Sequence, residues 1–277
     1  MSDFRADLHC HSTCSDGSFT PIELVQLAKQ IGLNGLSITD HDTIAAYETA
    51  VEAAQQANIT LLSGVEFSAG HKGVSVHILG YAFPFHSPLL QAFSQKHQLR
   101  REKRNLDMIA LISAQGMPLT LEEVLGFSPQ AVGSIGRPHI ALAMSKKGFV
   151  ASPQDAFKLY LTEDKPCFVK GEMFSVEETI DTLHQAGGVS IIAHPHLIKD
   201  EATLRDLLNM PFDGIEGYYA RFQPYQNARW LDIAKKKNWL ITGGSDFHGD
   251  FKQNSSLGSS WVRSEVFSTL QKHATAL

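Results

Sequence analysis

Asp7-Leu8-His9-Cys10-His11-Ser12-Thr13-Cys14-Ser15-Asp16-Gly17 is the stretch around which the chain is organised. In an extended strand alternate side chains share a face, so His9 and His11 point one way while Leu8 and Cys10 point the other. Two imidazoles side by side make a natural metal pair. Neutral imidazole nitrogen suits zinc, iron and other first-row ions, and a turn can fold the Asp16 carboxylate back toward them. A lone His-x-His fits equally well a pair of satisfied polar residues near a strand end, so the remainder of the chain has to decide.

Working outward, Thr20-Pro21-Ile22-Glu23 combines an N-cap with proline at the first helical position and leads an apolar-periodic helix that stops at Gly32. Leu36 to Asp40 reads as a short buried strand ending in His41-Asp42-Thr43, and an alanine-rich helix follows from Ile44 to Ala57. Ile59 to Val65 is a strand ending in Glu66, and Val74 to Leu79 another, carrying His77. Strands and helices alternating at this spacing predict parallel strands with crossover helices, an α/β barrel. From Phe85 to Phe168 the rhythm becomes purely helical, with helices over 89–114, 121–125, 138–147 and 153–160. This predicts a barrel built from residues 1–84 and 169–277, with 85–168 as a helical insertion. Lys96, Arg100, Arg101, Lys103 and Arg104 fall on its first helix, Arg100 and Arg104 on one face. The alternation then resumes through Val189-Ser190-Ile191-Ile192-Ala193 before His194, Gly214 to Tyr219, and Trp239 to Gly244 before Ser245-Asp246-Phe247-His248.

The 277 residues can bury a substantial core, and 43% hydrophobic with 19% charged residues describe an ordinary globular protein. A net charge of −5 argues against wholesale coating of nucleic acid, although a local basic groove is compatible with it. Three cysteines, Cys10, Cys14 and Cys167, cannot all pair, which fits a reducing compartment. Cys14 is a minor candidate ligand. No apolar run reaches the length of a membrane span and no leader-like N-terminus is apparent, so a cytoplasmic protein without membrane association is expected. No stable protein partner is inferred.

The residues at or just beyond the C-terminal ends of the inferred strands are His9, His11, Asp16, His41, Glu66, His77, His194, Asp246 and His248. In a barrel of parallel strands those ends meet around one mouth, where active sites are built. Six histidines and three carboxylates exceed the needs of one four-coordinate ion and would serve two or three. Structural zinc sites are normally cysteine-rich, so this set points to catalysis.

The blocks DLHCHSTCSDG (7–17), ITDHDT (38–43), GVEFS (64–68), VHILGY (76–81), IIAHP (191–195) and GGSDFHG (243–249) resemble those of the PHP (polymerase and histidinol phosphatase) superfamily. The resemblance implies a distorted (β/α)7 barrel with a trinuclear centre. His9, His11, Glu66 and Asp246 would hold one ion, Glu66 with His77 and His194 a second, and Asp16, His41 and His248 a third. Mn2+ is the expected ion, with Fe2+ and Zn2+ as alternatives. The insertion and the block Gly136-Arg137-Pro138-His139-Ile140-Ala141 resemble the branch of nucleoside 3',5'-bisphosphate phosphatases that also act as 5'-to-3' exonucleases on short RNA. That likeness implies a nucleotide or short oligoribonucleotide substrate, the insertion as a lid, and Arg137, His139 and Ser134 as substrate contacts. His196 and Lys170 depart from the branch, which more often has a small residue and a proline there.

Phosphate monoester hydrolysis is among the slowest uncatalysed reactions, so several cations must act together. A hydroxide held by ions at Glu66, Asp246 and His194 is the expected nucleophile. His196 and Asp42 are candidate acids for the leaving oxygen, and Asp40 is expected to orient a ligand. The rival readings are a histidinol-phosphate-type phosphatase, a metal-dependent amidohydrolase and a non-catalytic metal-binding module.

Overall fold

The computed structural model describes residues 4–127, 135–220, 222–251 and 255–275. Among these residues nine strands form two sheets: three parallel strands in the order β1 (Ala6–Asp7), β2 (Gly35–Leu36), β3 (Thr60–Leu61), and six in the order β6 (Phe174–Ser175), β4 (Gly64–His71), β5 (Val74–Tyr81), β7 (Val189–Ile192), β8 (Gly214–Tyr219), β9 (Leu240–Gly244). Single hydrogen bonds and isolated bridges join the two sheets in two places. On one side Leu8 N donates to Gly243 O (3.3 Å) and His11 N to Phe247 O (2.8 Å); on the other Asp42 N donates to Glu66 O (2.9 Å), and His41 and Glu66 bridge. The result is a distorted α/β barrel in which these joints replace continuous ladders.

Local signals explain most elements. Helix α1 (Pro21–Gln30) starts where Thr20 and Glu23 cap each other reciprocally, and it buries Leu24, Val25 and Ala28. Those residues pack with Ala50 and Ala54 of α2 (Tyr47–Ala57) beneath the three-stranded sheet. The larger core lies between the six-stranded sheet and the helices α7 (Val176–Gln185), α8 (Glu201–Leu208) and α9 (Pro224–Lys237) that follow α3 (Pro88–Ala114), α4 (Leu121–Gly126), α5 (Arg137–Lys146) and α6 (Pro153–Ala156). Helices α3 to α6 share an apolar cluster of their own, from Met108 and Ile112 through Ile140 and Met144 to Leu161. The C-terminal α10 (Ser264–Thr275) packs Phe267 and Leu270 against Leu8 and Tyr81. Among the described residues no helix is long and apolar enough to cross a membrane.

The expectation of uniformly parallel strands needs correction. Strand β5 runs antiparallel to both β4 and β7. Only Lys72 and Gly73 separate β4 from β5, both at positive φ (47° and 86°), a tight hairpin turn. Two residues cannot house the crossover that a parallel neighbour requires. The expected strand over 59–65 is also divided, into β3 and β4. Glu66 and His77 therefore lie inside strands, and His77 reaches the site because the N-terminal half of β5 is the half that faces it.

Candidate metal centre and its cleft

Glu66 is the hub. Its Oε2 lies 3.2 Å from His9 Nε2, 3.1 Å from His11 Nε2 and 3.3 Å from His41 Nδ1, while its Oε1 lies 2.8 Å from both His77 Nδ1 and His194 Nε2. Asp246 Oδ1 stands 3.6 Å from His9 Nε2 and 3.5 Å from His11 Nε2. Asp16 is 3.6 Å from His11 Nδ1, 3.8 Å from His41 Nε2 and 3.4 Å from His248 Nε2. All nine residues singled out in the sequence thus converge.

The fold brings them together by specific means. Gly244 lets β9 pass His9, since a Cβ there would come within 2.4 Å of the His9 Cβ and backbone nitrogen. Buried Asp7 ties the same strands by accepting His9 N (3.1 Å), Ser245 N (2.9 Å) and Gly258 N (2.8 Å). Asp40 accepts from Ser12 N and from the Ser12 and Ser15 hydroxyls at 2.7, 2.6 and 2.5 Å. It therefore orients the loop carrying Asp16 through Ser12 and Ser15. His194 (φ 24°) and Asp246 (φ 50°) both occupy backbone conformations that non-glycine residues seldom adopt, strain of the kind that collects at functional sites.

Electrostatics select the occupant. His11 Nδ1 and Nε2 and His41 Nδ1 are buried without a hydrogen-bond partner, although carboxylate oxygens approach them. Lone pairs facing lone pairs in a buried site need protons or a cation between them. Burial alone would lower the His11 pKa, yet the Asp246 and Glu66 carboxylates outweigh it and push it up to about 9. Burial opposes ionisation of Glu66 too, and the surrounding imidazoles still hold it well below the usual range. Donor atoms lie within 4.8 Å of one another in three groups: His9, His11, Glu66 and Asp246; His11, Asp16, His41 and His248; and His41, Glu66 and His77. Oxygen and imidazole donors so grouped fit divalent ions. The first group repeats the expected set. The second adds His11 to the expected Asp16, His41 and His248, and the third has His41 in place of His194. Cys14 is buried, its thiol pushed up to about 12 by that burial, and it belongs to none of the three donor groups.

Sequence reasoning missed the outer partners. Glu216 accepts from His9 Nδ1 at 2.9 Å and from His194 N at 2.7 Å, and Tyr219 donates its hydroxyl to Asp246 Oδ2 at 2.7 Å. A glutamate inside the apolar strand Gly214-Ile215-Glu216 was itself a signal, since a buried charge demands partners.

Above the cluster opens a cleft of about 650 Å³ whose lining includes Asp16, His41, His77, Arg101, Arg104 and Arg137. The basic run on α3 turns partly into it. Arg101 reaches Asp42 through Nε at 2.5 Å and Ser68 Oγ through Nη2 at 3.0 Å. Arg100 lies over the Phe174 ring at 3.3 Å. Burial and the neighbouring Arg101 and Arg137 guanidiniums lower the Arg104 pKa to about 9. Arg100 Nη1 and Arg104 Nε are buried without a partner. Asp42, a candidate acid, accepts from Arg101 Nε and Ser68 N; burial opposes its ionisation, but Arg101 and His97 hold the carboxyl well below its ordinary range. The other candidate acid, His196, packs 4.5 Å from Tyr219 and 4.3 Å from Phe222, measured between ring centroids. His139 is buried, its Nδ1 accepting Gly136 N at 3.0 Å. Ser134 lies outside the described residues.

A distorted α/β barrel gathering six histidines and three carboxylates defines a class of metal-site barrel proteins. Comparison with known families gives the particular one: residues 7–151 match the PHP domain, and the chain belongs to the PHP family. A 5'-3' exoribonuclease of Haemophilus influenzae is 37% identical over 252 residues, covering 88% of this chain and 90% of the relative. A 3',5'-nucleoside bisphosphate phosphatase of Chromobacterium violaceum is 30% identical over 249 residues, covering 87% and 86%. Among solved structures, one from Bifidobacterium adolescentis, provisionally ascribed to a metal-dependent phosphoesterase, superposes with a TM-score of 0.87 at 31% identity, covering 97% of this chain and 96% of its own.

Proposed function

We propose that the chain is a metal-dependent phosphoesterase that removes the 3'-phosphate of nucleoside 3',5'-bisphosphates and releases mononucleotides from the 5' end of short RNA. The observation that carries this reading is the pairing of the His/carboxylate cluster with a wall of arginines, two of whose buried donors have no partner. Guanidinium groups grip phosphate oxygens in pairs, and an unpaired buried donor is costly unless a ligand completes it. Divalent ions in the cluster would polarise the phosphoryl group and lower the pKa of attacking water toward neutrality.

The protein's own residues supply the rest. Glu66, Asp246 and His194 place the reacting water, Glu216 fixes the His9 tautomer, and Arg137 with Arg104 orients the anion. Arg101, held by Asp42, sits at the junction of α3 and the cluster, so residues 85–168 act as a lid over a barrel formed by 1–84 and 169–277. The exoribonuclease and bisphosphate phosphatase relatives support the nucleotide substrate.

The test is phosphate release by the Mn2+-reconstituted protein from adenosine 3',5'-bisphosphate, 3'-AMP, 5'-AMP and histidinol phosphate, alongside mononucleotide release from a short 5'-phosphorylated RNA. The bisphosphate should be preferred and the RNA shortened stepwise from its 5' end. Preference for histidinol phosphate would overturn the substrate, and silence on all five the activity.

A further inference from the structure

A second cleft of about 630 Å³ lies between β8, the start of α9 and the segment leading into α10. Its walls include Tyr218, Tyr219, Phe222 and Trp261, with Asn227 and Ser260 supplying polar groups. Tyr218 and Trp261 remain 38% and 40% exposed. The Arg5 guanidinium sits 5.5 Å from the Trp261 ring and steadies the indole. His196, the residue that departs from the branch pattern, backs the wall by packing on Tyr219 and Phe222. The cleft is one side chain from the metal centre, because the Tyr219 that lines it also donates to Asp246.

Asn227 points to an occupant. It is only 9% exposed, and its Oδ1 is buried with no hydrogen-bond partner. A buried amide oxygen left without a donor is costly, so its retention is explained by a ligand that brings one. Among the described residues the charged groups of the lining are one arginine, Arg263, and one glutamate, Glu265, one of each sign. A flat, neutral ring bearing N–H donors satisfies each feature: its faces meet the aromatic side chains and its edge meets Asn227.

We propose that this cleft binds a nucleobase, with Asn227 reading an N–H on its edge and Trp261 supplying stacking area. The base belongs either to a substrate strand whose scissile phosphate lies at the cluster or to a free nucleoside. The strand source rests on the proposed RNA substrate; nucleoside binding itself does not.

The test is calorimetric titration of the metal-free protein with adenosine, guanosine, cytidine and uridine, for wild type, Asn227→Leu, Trp261→Ala and Arg104→Ala. Saturable binding is expected, weakened about tenfold or more by the first two substitutions and unchanged by the third, which alters the other cleft. Asn227→Leu should leave Tm equal or higher, since it removes an orphaned acceptor. Absence of saturable binding, equal binding by the first two variants, loss of binding in Arg104→Ala, or a lowered Tm for Asn227→Leu would each overturn the proposal. If the base comes from the strand, Trp261→Ala raises KM for a 5'-phosphorylated trinucleotide but not for a nucleoside bisphosphate. If nucleoside binding persists with both KM values unchanged, the ligand is a free nucleoside. Failed nucleoside binding with intact RNA hydrolysis would sink this site and leave the proposed activity standing.

Discussion

Replacing Glu216 with Gln removes one negative charge at nearly constant volume, and its consequences follow from two distances. Oε1 meets His9 Nδ1 at 2.9 Å and Oε2 accepts the His194 backbone N–H at 2.7 Å, with the His9 and Glu216 side chains fully buried. The carboxylate draws the imidazole proton to Nδ1 and leaves the Nε2 lone pair facing Glu66 and Asp246. Glutamine cannot reproduce this. If its oxygen keeps the His194 N–H, its NH2 faces Nδ1 and forces the proton onto Nε2, into the metal site. If the amide flips, two donors collide at His194. Loss of such an outer partner typically costs about 10–100-fold in metal affinity or activity, that is about 1.4–2.8 kcal/mol. A similar range, about 1.5–3 kcal/mol, is expected for one hydrogen bond to a charged group. Calorimetric Mn2+ titration and steady-state kinetics on the bisphosphate should show weaker metal binding and lower kcat, with KM little changed. Wild-type metal affinity and kcat in a folded Glu216→Gln protein would refute the reasoning.

Other expectations follow from the same geometry. Arg137→Ala should raise KM for nucleotides about tenfold or more through loss of a charge-assisted contact, with metal content by elemental analysis unchanged; a fall in metal content would contradict the division of roles. In the metal-free protein His11 titrates near pH 9 because carboxylates outweigh burial. Its proton must leave as the ion enters, so Mn2+ affinity should rise with pH up to about 9 and binding should release protons into the buffer; pH-independent affinity would count against it. Asp42→Asn leaves Arg101 without its buried carboxylate, which is expected to cost about 3–5 kcal/mol and be visible as a lower Tm. The depressed Asp42 carboxyl contributes stability above its ordinary pKa of 3.8 that is lost as pH falls below it, so wild type and Asp42→Asn should converge in Tm on acidification.

Much of the site was legible because metal chemistry restricts residue type. His9 and His11 share a face by strand alternation, and the remaining donors sat where barrel strands were expected to end. Residues outside that logic were not. Glu216 lies in an apolar strand with no spacing to a histidine, and the contact it makes spans most of the chain. Arg101 was one of five basic residues on a helix; pairing by helical spacing picked Arg100 and Arg104, whereas its partner Asp42 is supplied by another layer of the fold. The direction of β5 was recoverable, since Lys72-Gly73 admits only a hairpin, but the alternating rhythm on either side concealed it. The short ladders of β1 to β3 carry too few hydrogen bonds to be placed from propensity, and tertiary burial fixes them.

The most direct test of the central claim is anomalous diffraction at the manganese edge from crystals of the protein grown with Mn2+. The account predicts peaks within the three donor groups, one bounded by His9, His11, Glu66 and Asp246, one by His11, Asp16, His41 and His248, and one where His41 and His77 meet Glu66. A cluster without anomalous density at Mn2+ concentrations that support full turnover would contradict it.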